Sequence, residues 1–297
     1  MFQPATKRRA KLRLALAGPS GSGKTWSALR VATGIGGKIA VIDTERGSAS
    51  LYSDAFAFDV CEVEPPYTPA KYVAAIRGAE AAGYAVLVID SLSHAWAGEG
   101  GVLESVDARQ QAGGNKLVAW GQGTKDQNAL VNAILGSGCD VIATMRSKQE
   151  YAIEPGHNGK TTVRKLGMAP VQRDGLEYEF AIVLDIGMDH LARVGVAGKD
   201  RTRLFAGQDA AMLTEADGQR LRAWLDTGAD PVAATGPTVE DVRDAIRAAM
   251  HAGGWDAAAV SAALAKWGAA KASDLPTPEA RAEALALFRS PPQEIQP

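Results

Sequence analysis

The sequence is poor in cysteine and in aromatic residues. Two cysteines occur in 297 residues, and aromatic side chains make up 6% of the chain. Cys61 and Cys139 each lie inside an apolar, strand-like run, which favours buried thiols over a disulfide or a metal site. We therefore expect the protein to work in a reducing compartment, the cytoplasm.

Long apolar runs and a strong excess of either charge are also missing. No stretch approaches the roughly 18 apolar residues of a membrane span, so no membrane contact is expected. The basic residues 7–13 precede the apolar stretch LALAG, which is too short for a secretory signal. Because the formal net charge is −2, any contact with nucleic acid must come from a local basic patch.

A glycine-rich motif follows the first apolar run. GPSGSGKT matches the pattern G-x-x-x-x-G-K-[ST], with a strand-like run before it and a helix-like segment after it. In such a P-loop the backbone amides hold phosphates, the lysine reaches the β- and γ-oxygens, and the threonine hydroxyl binds magnesium. The predicted ATP-binding residues are Gly18, Pro19, Ser20, Gly21, Ser22, Gly23, Lys24 and Thr25, with Thr25 also a magnesium ligand.

Short apolar runs alternate with helix-like segments along most of the chain. The runs cover residues 12–18, 38–44, 85–91, 139–145 and 180–186. Strands that are apolar on both faces are typical of a parallel sheet covered by helices. The sequence therefore predicts an α/β fold with a mainly parallel sheet flanked by helices.

Composition changes after residue 226. A stretch rich in Gly, Pro, Ala and Thr precedes three helical patterns, which indicates a linker and a small helical module. The predicted parts are a basic N-terminal tail (1–11), an ATPase core (12–226), a linker (227–238), a helical module (239–290) and a tail (291–297).

Two acidic residues follow apolar strands. Asp90 ends the run YAVLVID, where a carboxylate can hold magnesium through water. Many P-loop ATPases place the catalytic glutamate directly after this aspartate, but Ser91 stands there. Glu45, after KIAVIDT, would reach the same sheet edge if its strand neighbours the P-loop strand, and it could then act on the attacking water. A surface glutamate paired with Arg46 is the alternative.

Several motifs together resemble the RecA-type ATPase core. GPSGSGKT, IDTE and LVIDS carry this resemblance. WGQGTKDQNALVNAIL, VIATMRSKQEY, APVQRDGLEYEFAIVLDI and KDR are similar to a family of phage and prophage RecA-like ATPases, described as core-only recombinases or single-strand annealing proteins. The similarity covers about residues 12–207. It implies an ATP- and Mg²⁺-dependent DNA-binding ATPase in the cytoplasm of a bacterium or a phage-infected host.

The same resemblance implies roles for individual residues. Glu45 would be the catalytic carboxylate, Asp90 the magnesium aspartate, and Thr144 or Arg146 the sensor of the nucleotide. It also implies two mobile loops facing DNA, about residues 94–115 and 147–172.

Residues 146–167 carry an excess of basic side chains. Basic side chains can follow phosphates, and an aromatic ring can stack on a base. The alternative is a solvated hairpin without a ligand, and the basic N-terminal stretch is a second candidate patch. The candidate DNA-binding residues are Lys148, Tyr151, Lys160, Arg164 and Lys165.

Lys199 and Arg201 lie one residue apart, so both side chains point the same way on an extended chain. Lys24 is already predicted to bind the phosphates of the chain's own nucleotide. The resemblance implies that such a K-x-R pair enters the neighbouring subunit's site, which makes both residues catalytic candidates and requires an oligomer, filament or ring. An ordinary exposed strand is the alternative.

Three functions remain open. The first is an ATPase of homologous recombination or single-strand annealing, with single-stranded DNA and further copies of itself as partners. A single-strand binding protein is a candidate partner of the helical module. The alternatives are a RecA-fold helicase or loader motor, and a regulatory or kinase-like protein whose ATPase ignores DNA. A GTPase is disfavoured, because NKLV and TKDQ lack the aspartate that ends a guanine-binding motif.

Overall fold

The computed structural model describes residues 6–7, 9–155, 161–195, 198–228, 237, 239–253, 255–275 and 277–289, without the side chains of 149–155, 161–168 and 278. The chain forms two compact units, Met1–Ala229 and Asp230–Pro297. No helix in these described ranges is long and apolar enough to cross a bilayer.

The first unit contains the strands and six of the helices that the described residues form. The strands are β1 (Arg13–Gly18), β2 (Ile39–Asp43), β3 (Asp59–Glu62), β4 (Val86–Asp90), β5 (Asp140–Pro155), β6 (Thr161–Pro170), β7 (Ile182–Ile186), β8 (Ala192–Arg193) and β9 (Lys199–Asp200). The helices are α1 (Lys24–Ile35), α2 (Pro69–Ala81), α3 (Ser93–Ala97), α4 (Val102–Gln111), α5 (Lys116–Gly136) and α6 (Glu215–Asp226).

The sheet is mainly parallel, with the order β3-β2-β4-β5-β1-β7-β8. The neighbours from β3 to β7 in this order all pair in parallel. Three strand pairs are antiparallel: β6 with β5, and β8 and β9 with β7. The predicted α/β fold is therefore confirmed.

Strands β1, β2, β4 and β7 are buried on both faces, as the continuous apolar runs predict. Every residue of the edge strand β3 is exposed, and this includes Cys61, whose thiol was expected to be buried. In β1, Leu14 and Leu16 pack into one apolar layer with α1 and α6, whereas Ala15 and Ala17 pack into the other with α2 and α5. This alternation follows from the two-residue period of a strand. The short alanines leave room for the larger side chains of the second layer, among them Tyr72.

Two glycines let α6 pack closely against α1, the helix that follows the P-loop. A Cβ at Gly34 would lie 1.9 Å from the carbonyl oxygen of Glu215, and a Cβ at Gly218 would lie 2.2 Å from that of Val31. Neither position can carry a side chain without separating the helices. Arg30 adds a bidentate ion pair to Glu215, at 2.8 and 2.9 Å.

The two segments expected as mobile loops both carry regular secondary structure, which corrects that expectation. Residues 94–115 include most of α3 and all of α4. Most of residues 147–172 belongs to an antiparallel hairpin, in which Ser147 pairs with Pro170 and Pro155 with Thr161. In the ladder the backbone amides of the two strands form hydrogen bonds with each other, whereas in an open loop they would bond to water. The segment is therefore regular secondary structure and not a loop.

The second unit is helical, with α7 (Val239–His251), α8 (Ala257–Ala265) and α9 (Pro278–Arg289). It has its own apolar core, which includes Val242, Leu264 and Phe288. Trp255 packs edge-on against Phe288, with ring centroids 4.9 Å apart. The three helices match the three helical patterns of the sequence.

Candidate active site

The carboxyl ends of the parallel strands bring the residues predicted to act on the chain's own nucleotide to one edge of the sheet. In the register of the sheet, Gly18 pairs with Arg146 and Asp43 pairs with Asp90. The rest of the P-loop follows Gly18 directly. In open α/β sheets this edge is where ligands bind.

A cavity of about 470 Å³ opens at this edge. Its volume lies in the range of small-molecule and cofactor sites. Eight residues predicted for the nucleotide site are among those that line it: Ser20, Gly21, Gly23, Lys24, Thr25, Glu45, Asp90 and Arg146. The structure therefore brings together residues that are up to 126 positions apart in the sequence.

The P-loop has a backbone suited to anions. Gly21 and Gly23 adopt φ values of 81° and 84°, in the left-handed region that favours glycine. Gly23 also precedes the first residue of α1, so the first amides of that helix face the loop. At Gly18 a Cβ would lie 2.4 Å from the carbonyl oxygen of Ile186, so this position also needs glycine. Unpaired amides at a helix N-terminus attract phosphate.

Lys24 lies at the base of the cavity and is 8% exposed. Its Nζ donates to the carbonyl oxygen of Pro19 at 2.8 Å. Burial lowers the pKa of Lys24, and the nearby carboxylates of Asp90 and Glu45 oppose this shift. The ammonium group is thus held within the P-loop, where phosphate oxygens are the natural acceptors.

Asp90 forms a short chain of hydrogen bonds with two threonines. Thr25 Oγ1 donates to Asp90 Oδ2 at 2.6 Å, and Thr144 Oγ1 donates to Asp90 Oδ1 at 2.5 Å. Asp90 is 1% exposed. Burial raises the pKa of Asp90, while the hydrogen bonds from Thr144 and Thr25 lower it. The carboxylate is therefore held in place next to the Thr25 hydroxyl.

The two sensor candidates occupy different positions. Thr144 is fully buried and supports Asp90, and it is not among the residues that line the described cavity. Arg146 lines the cavity and donates from Nε and an Nη to Glu45 Oε1, at 3.0 and 2.9 Å. Arg146 is therefore the candidate that can contact a nucleotide directly.

Glu45 lies at the cavity, but its strand occupies a different position in the sheet from the expected one. Its strand β2 does not neighbour the P-loop strand β1, because β4 and β5 lie between them. Asp43 accepts hydrogen bonds from the backbone N–H groups of Glu45 and Ala49, which shapes the turn after β2 and directs Glu45 into the cavity. The partner of Glu45 is Arg146, and not Arg46 as the alternative reading suggested.

Aromatic side chains form one side of the cavity. Trp26 and Tyr52 both line it, with ring centroids 5.4 Å apart in an edge-to-face arrangement. Phe56 packs edge-on against Trp26 on the side of the core. Trp26 is 38% exposed. A half-exposed ring of this kind offers a flat apolar surface to a planar base.

Lys199 and Arg201 lie away from the cavity of their own chain. Lys199 pairs with Val183 in the first half of β7, whereas the P-loop lies beyond the other end of the neighbouring strand β1. Lys199 Nζ donates to the carbonyl oxygen of Tyr178. Burial lowers the pKa of Lys199, and the nearby Arg201 lowers it further. Neither residue is among those lining the cavity within the described parts of the chain.

The candidate DNA-binding residues lie on the hairpin of β5 and β6. Lys148 is exposed on β5. In the ladder Tyr151 pairs with Lys165, and Ala152 pairs with Arg164. The side chains of Tyr151, Arg164 and Lys165 lie outside the described residues, and so does Lys160 altogether.

The sequence analysis did not identify several residues of the cavity. They include Trp26, Tyr52, His190 and Met212. Trp26 directly follows the P-loop threonine, and this position could have drawn attention to it. The other three come from segments that no short motif connects with the P-loop.

One comparison with known proteins identifies a family. Residues 10–218, more than two thirds of the 297-residue chain, match the family described as AAA domain. A search of the curated proteins finds no match.

Proposed function

We propose that this chain, which belongs to the AAA-domain family, is a Mg²⁺-dependent ATPase. We further propose that it acts on single-stranded DNA as an oligomer. The observation that supports the ATPase activity best is the meeting of Lys24, Thr25, Asp90 and Glu45 at one cavity. Together they supply a phosphate-binding cation, magnesium ligands and a base.

The donor set at the P-loop fits Mg²⁺. The Thr25 hydroxyl and the Asp90 carboxylate are 2.6 Å apart, and both offer the hard oxygen ligands that this ion prefers. Thr25 would bind the ion directly and Asp90 through water. When bound, Mg²⁺ neutralises charge on the β- and γ-phosphates. Thr144 keeps the Asp90 carboxylate oriented for this task.

Glu45 is the base in this proposal. Its side chain is 27% exposed at the cavity, so a water molecule can reach it. Both hydrogen bonds from Arg146 go to Oε1, and no described residue donates to Oε2. The second carboxylate oxygen can therefore accept a proton from a water that attacks the γ-phosphate.

Nucleotide binding by the wild-type protein and by Lys24→Ala tests the site itself. We expect the wild type to bind ATP in the presence of Mg²⁺ and the variant to bind at least about a hundredfold more weakly, because charge-assisted bonds to phosphate are lost. Calorimetric titration with a non-hydrolysable ATP analogue measures both affinities. Lys38→Ala, which removes an exposed lysine at the opposite end of β2, is the matched control. Equal affinity of Lys24→Ala and wild type would contradict the assignment.

Two observations support single-stranded DNA as the partner. The hairpin of β5 and β6 begins at Ser147, directly after the Arg146 that binds Glu45. Its sequence is rich in basic residues and includes Tyr151, a composition suited to a phosphate backbone and stacked bases. The resemblance to phage RecA-like ATPases favours recombination or annealing, and a single-strand binding protein at α7–α9 remains a prediction.

Neutralising Lys160, Arg164 and Lys165 together is expected to weaken binding of single-stranded DNA. The log–log salt slope should flatten by up to about 0.7 for each lost phosphate contact. Fluorescence anisotropy with a labelled oligonucleotide at several salt concentrations measures both quantities, and ATP binding should persist. A control variant neutralises the exposed Lys38, Lys71 and Arg77.

An unchanged affinity together with an unchanged salt slope would identify the hairpin as a solvated element. The basic N-terminal stretch would then become the better DNA-binding candidate. An ATPase rate that single-stranded DNA does not alter would favour a regulatory or kinase-like function over a DNA motor.

A further inference from the structure

The turn between β7 and β8 lies against the P-loop. His190 in this turn places its Nδ1 3.1 Å from the carbonyl oxygen of Ser22. A Cβ at Gly23 would lie 3.2 Å from the same nitrogen, so the ring fits against the bare Cα of that glycine. The imidazole lines the same cavity as Lys24 and Thr25.

The contact with Ser22 determines which ring nitrogen carries hydrogen. A carbonyl oxygen only accepts, so His190 Nδ1 must be the protonated nitrogen and donate to it. Nε2 is left for another partner. Donation from Nε2 as well takes the imidazolium form, in which both ring nitrogens carry hydrogen.

The backbone of His190 is held in an uncommon conformation. Its φ is 62°, in the left-handed region, which is unfavourable for a residue other than glycine. The turn is closed by hydrogen bonds from His190 N to Gly187 O and from Gly187 N to Leu191 O. Strained conformations of this kind occur preferentially where a side chain must be aimed at a ligand.

No described carboxylate competes for the imidazole. The neighbouring Asp189 is engaged by Arg193 and by the backbone N–H of Leu191. The hydrogen bond from Arg193 lowers the pKa of Asp189 to about 2, so this carboxylate remains ionised and paired. The only hydrogen bond to the His190 ring within the described residues is the one with Ser22.

We propose that His190 is a further nucleotide-binding residue, which donates from Nε2 to the phosphate chain while Nδ1 holds the P-loop at Ser22. This inference rests on the proposed ATP site. It adds a hydrogen-bond donor from outside the P-loop motif, on a turn that precedes β8. Lys24 reaches the phosphates from within the loop, and His190 reaches them from across the loop.

Calorimetric titration with ADP and, separately, with inorganic pyrophosphate tests the proposal, both with Mg²⁺. His190→Asn is the main variant, because asparagine tolerates a positive φ and keeps the turn. His190→Gly is the second variant and removes the backbone strain. Met188→Ala alters the same turn at an exposed apolar side chain and serves as the matched control. Thermal melting without ligand checks that each variant is folded.

We expect both His190 variants to bind ADP and pyrophosphate about tenfold more weakly than the wild type, as for a lost charge-assisted hydrogen bond. Met188→Ala should bind both ligands normally. Unchanged affinities in the folded His190 variants would overturn the proposal, and so would a loss for ADP without a loss for pyrophosphate. A wild-type protein that binds neither ligand would instead refute the proposed ATP site.

Discussion

Glu45→Gln is expected to bind ATP with nearly wild-type affinity and to hydrolyse it about 10³-fold more slowly. General-base catalysis contributes typically about 10²–10⁴ to the rate, and glutamine cannot take the proton from water. Lys24 and Thr25, which hold the phosphates in our proposal, are unaltered in this variant. Phosphate release under saturating ATP measures turnover, and calorimetric titration measures binding.

The control for this variant is Glu62→Gln. Glu62 ends the neighbouring strand β3, and the substitution makes the same change of charge at the same edge of the sheet. It is not among the described residues that line the cavity. Turnover should persist in this control. Near-normal hydrolysis by Glu45→Gln would exclude its catalytic role and leave the base unidentified.

The double variant Lys199→Ala/Arg201→Ala is expected to bind ATP and to hydrolyse it on the order of 10³-fold more slowly, the effect of losing an arginine finger. Both residues lie outside the described cavity of their own chain, so a direct effect on its phosphates is not expected. A loss of this size is the result expected if they complete a neighbour's site. Arg203→Asn, at an exposed cation two residues further along with φ of 60°, is the matched control.

Mixing two inactive proteins separates action in trans from action in cis. Glu45→Gln retains Lys199 and Arg201, and the double variant retains Glu45. In a mixed oligomer, some interfaces combine Glu45 of one subunit with Lys199 and Arg201 of its neighbour. ATP hydrolysis should return at these interfaces, although neither variant is active alone. Mixed oligomers must first be detected by size or by labelling. If they form and activity stays at the level of the parents, the assignment in trans is wrong.

The sequence predicts those parts of the site that depend on short-range patterns. The P-loop glycines and the strand that ends at Asp90 are local features, since each is set by a few consecutive residues. The layered sheet is predictable for the same reason, because continuous apolar runs require burial on both faces. The position of Glu45 at the cavity was also predicted, although the strand order assumed for it was wrong.

The residues that escaped prediction depend on long-range packing. His190 meets Ser22 across 168 positions of sequence, and no periodicity or motif links them. Trp26 and Tyr52 meet because the turn after β2 folds back over α1, and that turn depends on the carboxylate of Asp43. The helices within residues 94–115 were missed because the resemblance, and not the residues, suggested a loop there.

The length of β5 limits how a phosphate bound at the far end of the hairpin can influence ATP hydrolysis. Nine residues, Ser147–Pro155, follow Arg146 in this strand, which corresponds to about 30 Å of extended chain. Salt at physiological strength screens charges over about 8 Å. A phosphate bound at that distance therefore has almost no electrostatic effect on Glu45. Its influence can reach the Arg146–Glu45 pair only mechanically, through a shift or twist of the continuous strand.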